Sequence, residues 1–237
     1  MPLLHSLLDL VYPRECAGCR QTAEDAPLHI CWECRSAFAF ITDAYCERCG
    51  DPVDGMVEQS FQCSACTNRR PHFDMARSAV RYRGPLQSAL QRFKYNGAPG
   101  LRRDFVPLLQ ACVTTHFGGC FLDAVTFVPL YPRRERERTY NQSRLLAADL
   151  ARGLGLPLAS DCLRRIRPTV TQTALTAAQR RRNVSGAFVS LNRRWIEGRS
   201  LLLVDDVMTT GATVDQCARV LKEAGAARVY AVTVARG

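Results

Sequence analysis

Apolar positions along the chain fall into short continuous runs that alternate with helical stripes. Residues 75–83 read as a strand, and Gly84-Pro85 punctuates the chain before a helix that carries Leu86, Leu90 and Phe93. Lys94-Tyr95-Asn96-Gly97 closes that helix. Further helices are expected over residues 103–117 and 141–152, on either side of a strand at 124–130. The second of these aligns Leu145, Leu146 and Leu150 on one face, and Gly153 and Gly155 end it. Strands at 186–191 and 201–204, a helix at 212–224 capped by Gly225, and a last strand at 229–234 complete the series. Strands alternating with helices of this length predict an α/β fold built on a doubly wound parallel sheet. Such a sheet binds ligands at the carboxyl ends of its strands. Two segments leave from such ends, residues 131–142 and 205–213, so their side chains are expected to converge.

The first 70 residues follow a different pattern, set by cysteine. Eight of the twelve cysteines form four Cys-x-x-Cys pairs: Cys16/Cys19, Cys31/Cys34, Cys46/Cys49 and Cys63/Cys66. Each pair offers two thiolates to one tetrahedral ion, and two pairs close a four-sulfur structural site, so the array predicts two zinc ions. Disulfides are the main rival, but no secretory signal precedes the array and the repeated short spacing suits long-range bridging poorly. A redox role would call for a single such motif in a thioredoxin-like setting. Short intervening loops favour sequential pairing, first pair with second and third with fourth, over an alternating cross-brace. His29 and His72 flank cysteine pairs but are not needed as ligands. Cys112, Cys120, Cys162 and Cys217 lack ligand spacing and are expected to fill core. The division anticipated is therefore residues 1–70 as a short helix and double zinc ribbon, and residues 71–237 as the α/β domain.

Charge sharpens this division. Residues 1–70 hold six Lys and Arg against ten Asp and Glu, whereas the rest of the chain holds 26 against 12, for a net charge of +10 overall. The α/β domain is thus the basic part and suits a polyanion, whether pyrophosphate or nucleic acid. The apolar stretch at Leu3, Leu4, Leu7, Leu8 and Leu10 lacks a basic leader and includes Asp9, which reads as a packing helix rather than a signal peptide. With no membrane span in prospect and many thiolates, the expected location is cytoplasmic.

The richest chemistry lies in Leu201-Leu-Leu-Val-Asp-Asp-Val-Met-Thr-Thr-Gly-Ala-Thr213. A buried strand runs into Asp205 and Asp206, and Thr209, Thr210, Gly211, Ala212 and Thr213 then offer hydroxyls and successive backbone N–H groups at a helix N-terminus. Such a segment suits a phosphate monoester. Two adjacent carboxylates are costly to keep together unless hydroxyls or a cation occupy them, and a ribose diol supplies hydroxyls. An Asp pair at a strand end with an ordinary Thr cap would be the bland alternative.

That string resembles the signature of type I phosphoribosyltransferases. Val128-Pro129-Leu130, the arginines from Arg133 to Arg138, Asn141-Gln142, Gln172-Thr-Ala-Leu175, and Arg180 to Phe188, together with the cysteine array, resemble the ComF family across nearly the whole chain. Thr139-Tyr140 stands where Gly-Phe is common in that family. The resemblance implies a type I phosphoribosyltransferase-like domain that binds 5-phosphoribosyl 1-pyrophosphate (PRPP) with magnesium. Asp205 and Asp206 would face the ribose, and residues 209–213 the 5-phosphate. Arg133 and Arg138 would meet the pyrophosphate, and Lys94 matches a family Lys-aromatic position. The basic triplet Arg180-Arg181-Arg182 would lie on a loop that covers the reacting centre. No separate hood for an acceptor base is evident, so either the ribbons and residues 73–97 roof the site or there is no proper base pocket. The resemblance also links the chain to DNA uptake in competence, with single-stranded DNA and competence-machinery proteins as partners. A DNA-binding accessory and a PRPP sensor without transferase activity are the other readings. Few aromatics interleave with the arginines, Tyr131 and Tyr140 being those available.

Overall fold

In a computed structural model of the protein, the described residues are 15–22, 28–42, 44–53, 55, 61–169 and 176–237. The N-terminal packing helix and Gln172–Leu175 lie outside them. The elements are α1 (Trp32–Ser36), α2 (Ser64–Arg69), β1 (Met75–Arg81), α3 (Gly84–Tyr95), α4 (Arg102–Phe117), β2 (Ala124–Phe127), α5 (Pro132–Arg138), α6 (Gln142–Leu154), β3 (Leu163–Arg165), α7 (Ala177–Val184), β4 (Phe188–Ser190), α8 (Arg193–Ile196), β5 (Ser200–Met208), α9 (Ala212–Glu223) and β6 (Arg228–Arg236). A four-stranded parallel sheet in the order β1-β6-β5-β2 forms the centre.

Both faces of this sheet are covered, which accounts for the uninterrupted apolar runs of its strands. Leu202, Val204, Val232 and Val234 pack under α3, α4 and α6 through Leu90, Phe93, Phe105, Leu109, Leu146 and Leu150. Leu201, Leu203, Val229 and Ala231 face α9 through Val214, Cys217, Ala218 and Leu221. Cys112, Cys162 and Cys217 are buried, as core-filling thiols should be, whereas Cys120 is half-buried.

One expectation needs correction. The run at 186–191 does not join the parallel sheet. It forms only β4, which pairs antiparallel with β3 as a separate two-stranded piece. Its apolar face is used against α9 instead. The arginine segment after β2 is the helix α5, started by Pro132 at its first turn.

Among the described residues, the ribbons pack onto the α/β part without a core of their own. Cys16, Ala17, Ile30, Cys34 and Phe38 belong to the cluster under α3 and α4, and Cys46, Cys49 and Cys66 to the cluster on the opposite face. Between the ribbons, the chain at Phe40 runs antiparallel beside Val80 of β1, with Ile41 N–H donating to Ala79 and Arg81 N–H to Ala39. Asp104 of α4, its side chain 1% exposed, fixes the first ribbon by accepting from Arg35 at 3.0 Å and from the His29 backbone at 3.3 Å, with the His29 ring at 3.2 Å. Asp104→Ala should therefore lower the stability of the zinc-loaded chain by roughly 2–3 kcal/mol, because it strands the Arg35 guanidinium. A urea midpoint equal to that of the unaltered chain would rule this out.

Candidate metal centres and sugar-phosphate site

The eight ribbon cysteines gather as two sets of four, Cys16/Cys19/Cys31/Cys34 and Cys46/Cys49/Cys63/Cys66, the sequential pairing. Within each set the sulfurs lie within 4.8 Å of one another, and the Cys19–Cys31 and Cys49–Cys63 separations are 3.9 and 3.7 Å. Four sulfurs bound tetrahedrally to zinc at about 2.3 Å stand about 3.8 Å apart, so the spacing fits the ion. All twelve cysteines are unbridged.

The two sets repeat one design. In each, the first pair forms a tight turn that ends in a left-handed residue, Arg20 or Gly50, and the second pair opens a short helix, α1 or α2. Burial opposes ionisation of Cys16, but backbone N–H groups of Cys31, Cys19 and Gly18 outweigh it and bring the thiol down to about 6. Burial likewise opposes Cys46, yet the N–H groups of Cys49, Cys63 and Arg48 bring it to about 7. Both thiolates are thus prepared for a cation. His29 and His72 are engaged by Asp104 and Asp215 and are not part of either set.

In the central sheet, β5 continues past Val204 because β6 runs beside it as far as Arg236, so the acid pair lies inside the ladder rather than after it. Asp206 is buried and meets Lys94 Nζ at 2.9 Å. Asp205 is half-buried. It accepts from Ser143 Oγ at 2.8 Å and from the Asp206 N–H at 2.9 Å. Burial and then the neighbouring Asp206 carboxylate push Asp205 up to about 7. Lys94 comes from the last turn of α3. Burial works against its charge, but the Asp206 carboxylate prevails and holds its ammonium above the ordinary lysine value.

Residues 209–213 curve from β5 into α9 and form a small concavity with Asp205. Gly211 caps α9 in the left-handed conformation, φ +72°, a geometry that glycine accepts at little cost. Beside the loop opens a cavity of about 860 Å³. Lys94, Arg133, Arg134, Arg138, Arg165 and Arg180 line it, with Glu137 as an acidic member and Tyr82, Tyr95 and Tyr131 among the rest.

The candidate arginines differ in how firmly they are held. Arg138 donates to Gln142 at 3.1 Å and its guanidinium sits 4.7 Å above the Tyr95 ring. Gln142 in turn donates to the Lys94 carbonyl at 3.2 Å, which ties the arginine helix to the end of α3. Arg133 is largely exposed and bonded to Glu137 at 3.0 Å. Asn141 is buried, caps α6, and donates to the Val128 carbonyl. Asn141 and Gln142 therefore serve the framework. Thr139 takes a left-handed φ of +67° as the cap of α5, which explains why glycine suits this position.

Several features of the site were not anticipated. Arg165 of β3 reaches the cavity, stacks on Phe188 and donates to Thr169. Only the basic run Arg164-Arg165-Ile-Arg167 hinted at it. Ser143 carried no signal beyond its place in the first turn of α6. The region expected as a covering loop is, from Ala177, the helix α7 with a Thr176–Gln179 capping box, and Arg180 faces the cavity from it. Tyr140 does not offer a stacking face: its hydroxyl donates to the Phe93 carbonyl at 2.6 Å and its ring packs on Phe93. The expected roof is half present. Tyr82, Gln91, Lys94 and Tyr95 line the cavity, and no described ribbon residue does.

Comparison with known proteins places these features in one family. Residues 7–67 match the double zinc ribbon domain and residues 141–237 the phosphoribosyl transferase domain. Competence protein F of Haemophilus influenzae is 30% identical over 225 residues, covering 93% of this chain and 96% of that protein. DNA utilization protein YhgH of Escherichia coli K12 is 33% identical over 227 residues, covering 93% and 96%. Competence protein ComFC of Bacillus subtilis is 29% identical over 219 residues, covering 87% and 84%. Likeness of this extent, over both the ribbons and the α/β part, means that the chain belongs to the ComF family, whose members join a double zinc ribbon to a phosphoribosyltransferase domain.

Proposed function

We propose that this chain binds PRPP with magnesium and transfers the phosphoribosyl group to an acceptor, releasing pyrophosphate, in the service of DNA uptake or utilisation. The observation that carries the reading is the junction of two anion sites of different size. A narrow N–H-rich loop at the end of β5 adjoins a wide cavity lined by six cations, with the acid pair close to both. A sugar carrying one phosphate at one end and two at the other has that shape of charge.

In the transfer, the acceptor atom forms a bond to the anomeric carbon while the bond from that carbon to pyrophosphate breaks. Pyrophosphate leaves with the electron pair and the acceptor loses its proton. Residues 209–213 would fix the 5-phosphate, and Arg138, Arg165 and Lys94 would receive the growing negative charge. Asp205 and Asp206 would face the ribose hydroxyls and the positive charge that develops on the sugar. Carboxylate oxygens are the hard donors magnesium prefers, so the acid pair fits that ion, which would neutralise the departing pyrophosphate.

Calorimetric titration of the zinc-loaded chain with PRPP and magnesium tests this reading, run beside the Asp205→Asn/Asp206→Asn variant. Binding by the unaltered chain and a loss of about 100-fold or more in the variant are expected, the scale of two hydrogen-bonded charges removed from a site. A folded chain that takes up no PRPP would refute it.

A second reading, single-stranded DNA binding, draws support from Tyr95, which is 57% exposed and backed by Arg138 at the cavity. DNA affinity of that kind should fall steeply with salt and survive the double variant. Pyrophosphate release separates a transferase from a PRPP sensor that uses the same residues.

A further inference from the structure

The second ribbon and the Thr/Gly-rich loop are tied together at both ends of the loop. Arg236 of β6, its side chain 7% exposed, lies 2.9 Å from the Asp51 carboxylate, just past the turn that holds Cys46 and Cys49. The same guanidinium donates at 3.0 Å to the carbonyl of Met208, the residue at which β5 enters the loop. At the far end, the chain leaving α2 passes through His72 and Phe73. The His72 backbone N–H donates to Asp215 Oδ1 at 2.7 Å and its ring Nδ1 lies 2.9 Å from that oxygen. Asp215 sits in the first turn of α9. The buried Phe73 ring stands 4.0 Å from where a Cβ on Gly211 would be.

The ribbon side of these ties is itself one unit. Arg48, between Cys46 and Cys49, donates to the Pro71 carbonyl at 2.9 Å, and Ala76 N–H donates to the Arg48 carbonyl at 2.8 Å. Gly50 lies so close to β1 that a Cβ would stand 2.7 Å from the Ala76 oxygen. The first ribbon is tethered elsewhere, by Arg92 of α3 and Asp104 of α4.

We propose that the second ribbon positions the phosphate loop, with Arg236 and His72 as the positioning residues that transmit its rigidity. A loop that offers N–H groups to a tetrahedral anion has to be held within a fraction of an ångström, and the long Ala212 N–H to Thr210 Oγ1 bond within it, 3.4 Å, is a weak restraint beside the contacts from outside. The ligand half of this proposal rests on the phosphoribosyl reading, whereas the bracing of the loop does not.

The test uses the full zinc-loaded chain, a ribbon-two variant, Asp51→Asn/His72→Ala, and a ribbon-one control, Asp104→Asn. Amide hydrogen exchange over residues 209–213 is measured without ligand, and affinities are titrated separately for ribose 5-phosphate and for pyrophosphate. In the ribbon-two variant, exchange at the loop should quicken and ribose 5-phosphate affinity should fall, each by about tenfold, while pyrophosphate affinity stays within about twofold. The control should leave exchange at the loop unchanged. Unaltered exchange at the loop in the ribbon-two variant would overturn the proposal, as would an equal loss of both ligands with faster exchange throughout the chain. If the unaltered chain takes up neither ligand, the phosphoribosyl reading fails and exchange alone decides the bracing.

Discussion

Withdrawing zinc with a strong chelator should abolish the cooperative unfolding transition of the whole chain, not of the ribbons alone. A structural zinc site contributes on the order of 10 kcal/mol, and an ordinary domain is stable by only about 5–15 kcal/mol. The effect should spread because the ribbons share cores with the sheet. Cys16 and Cys34 pack with Leu86, Leu90 and Phe93, and Gly18 approaches so closely that a Cβ there would be 3.0 Å from Pro85. Losing the first ion removes one wall of the pocket that holds α3, the helix bearing Lys94 and Tyr95. Near-ultraviolet circular dichroism followed during heating, with and without chelator, measures this. An α/β part that melts as before would mean that its core stands without the ribbons.

Lys94→Met should cost about 3 kcal/mol at pH 8, the usual result of removing one partner from a buried pair. Lys94 and Asp206 have side chains 18% and 9% exposed, so little water reaches the carboxylate left behind. The pH dependence follows from the acid pair. Asp205, at about 7, holds in the folded chain a proton that the unfolded chain releases near the ordinary value of 3.8. Its contribution to stability is therefore greatest at acidic pH and is lost as pH rises to about 7. Lys94 is shifted upward from 10.5, so its stabilisation is complete below that value and disappears only in strong alkali. Lys94 opposes the upward shift of Asp205, so with Lys94 gone the acid pair takes up a proton still more readily as pH falls, and the deficit should shrink on acidification. Adding Asp206→Asn to Lys94→Met should recover most of it, since the carboxylate that Lys94 directly neutralises is then gone. Urea midpoints for the three proteins at pH 5 and 8 provide the check. A Lys94→Met chain as stable as its parent at pH 8, or no recovery in the double variant, would contradict this account.

These two expectations also mark what the amino-acid sequence made readable. Cysteine spacing identified both ribbon clusters, because a Cys-x-x-Cys turn binds its ion within a few residues. The strand-to-loop string at 201–213 was equally local, and so was the α/β alternation. Partners chosen by the tertiary fold were harder to read. Phe188 to Ser190 has the composition of a sheet strand, yet its pairing with Leu163 to Arg165 depends on where the intervening chain returns. Nothing in the sequence around Arg165 sets it apart from neighbouring arginines, and only that pairing brings it to the cavity. Ser143 and Gln142, which hold Asp205 and Arg138, are polar residues at a helix start, and only the packing of α6 against β5 distinguishes them from ordinary caps.

The antiparallel contact at Phe40 has a consequence for how the chain stays apart from its neighbours. In an open sheet the outermost strands present unpaired N–H and C=O groups, a template on which other chains can polymerise. Here β2 is shielded by the chain at Pro157 to Ala159, and β1 by the stretch between the two ribbons. The shield on β1 keeps its place only while the turns on either side are clamped. A chain made under metal starvation would therefore uncover the β1 edge as it loses its fold, and aggregation would accompany the loss of structure.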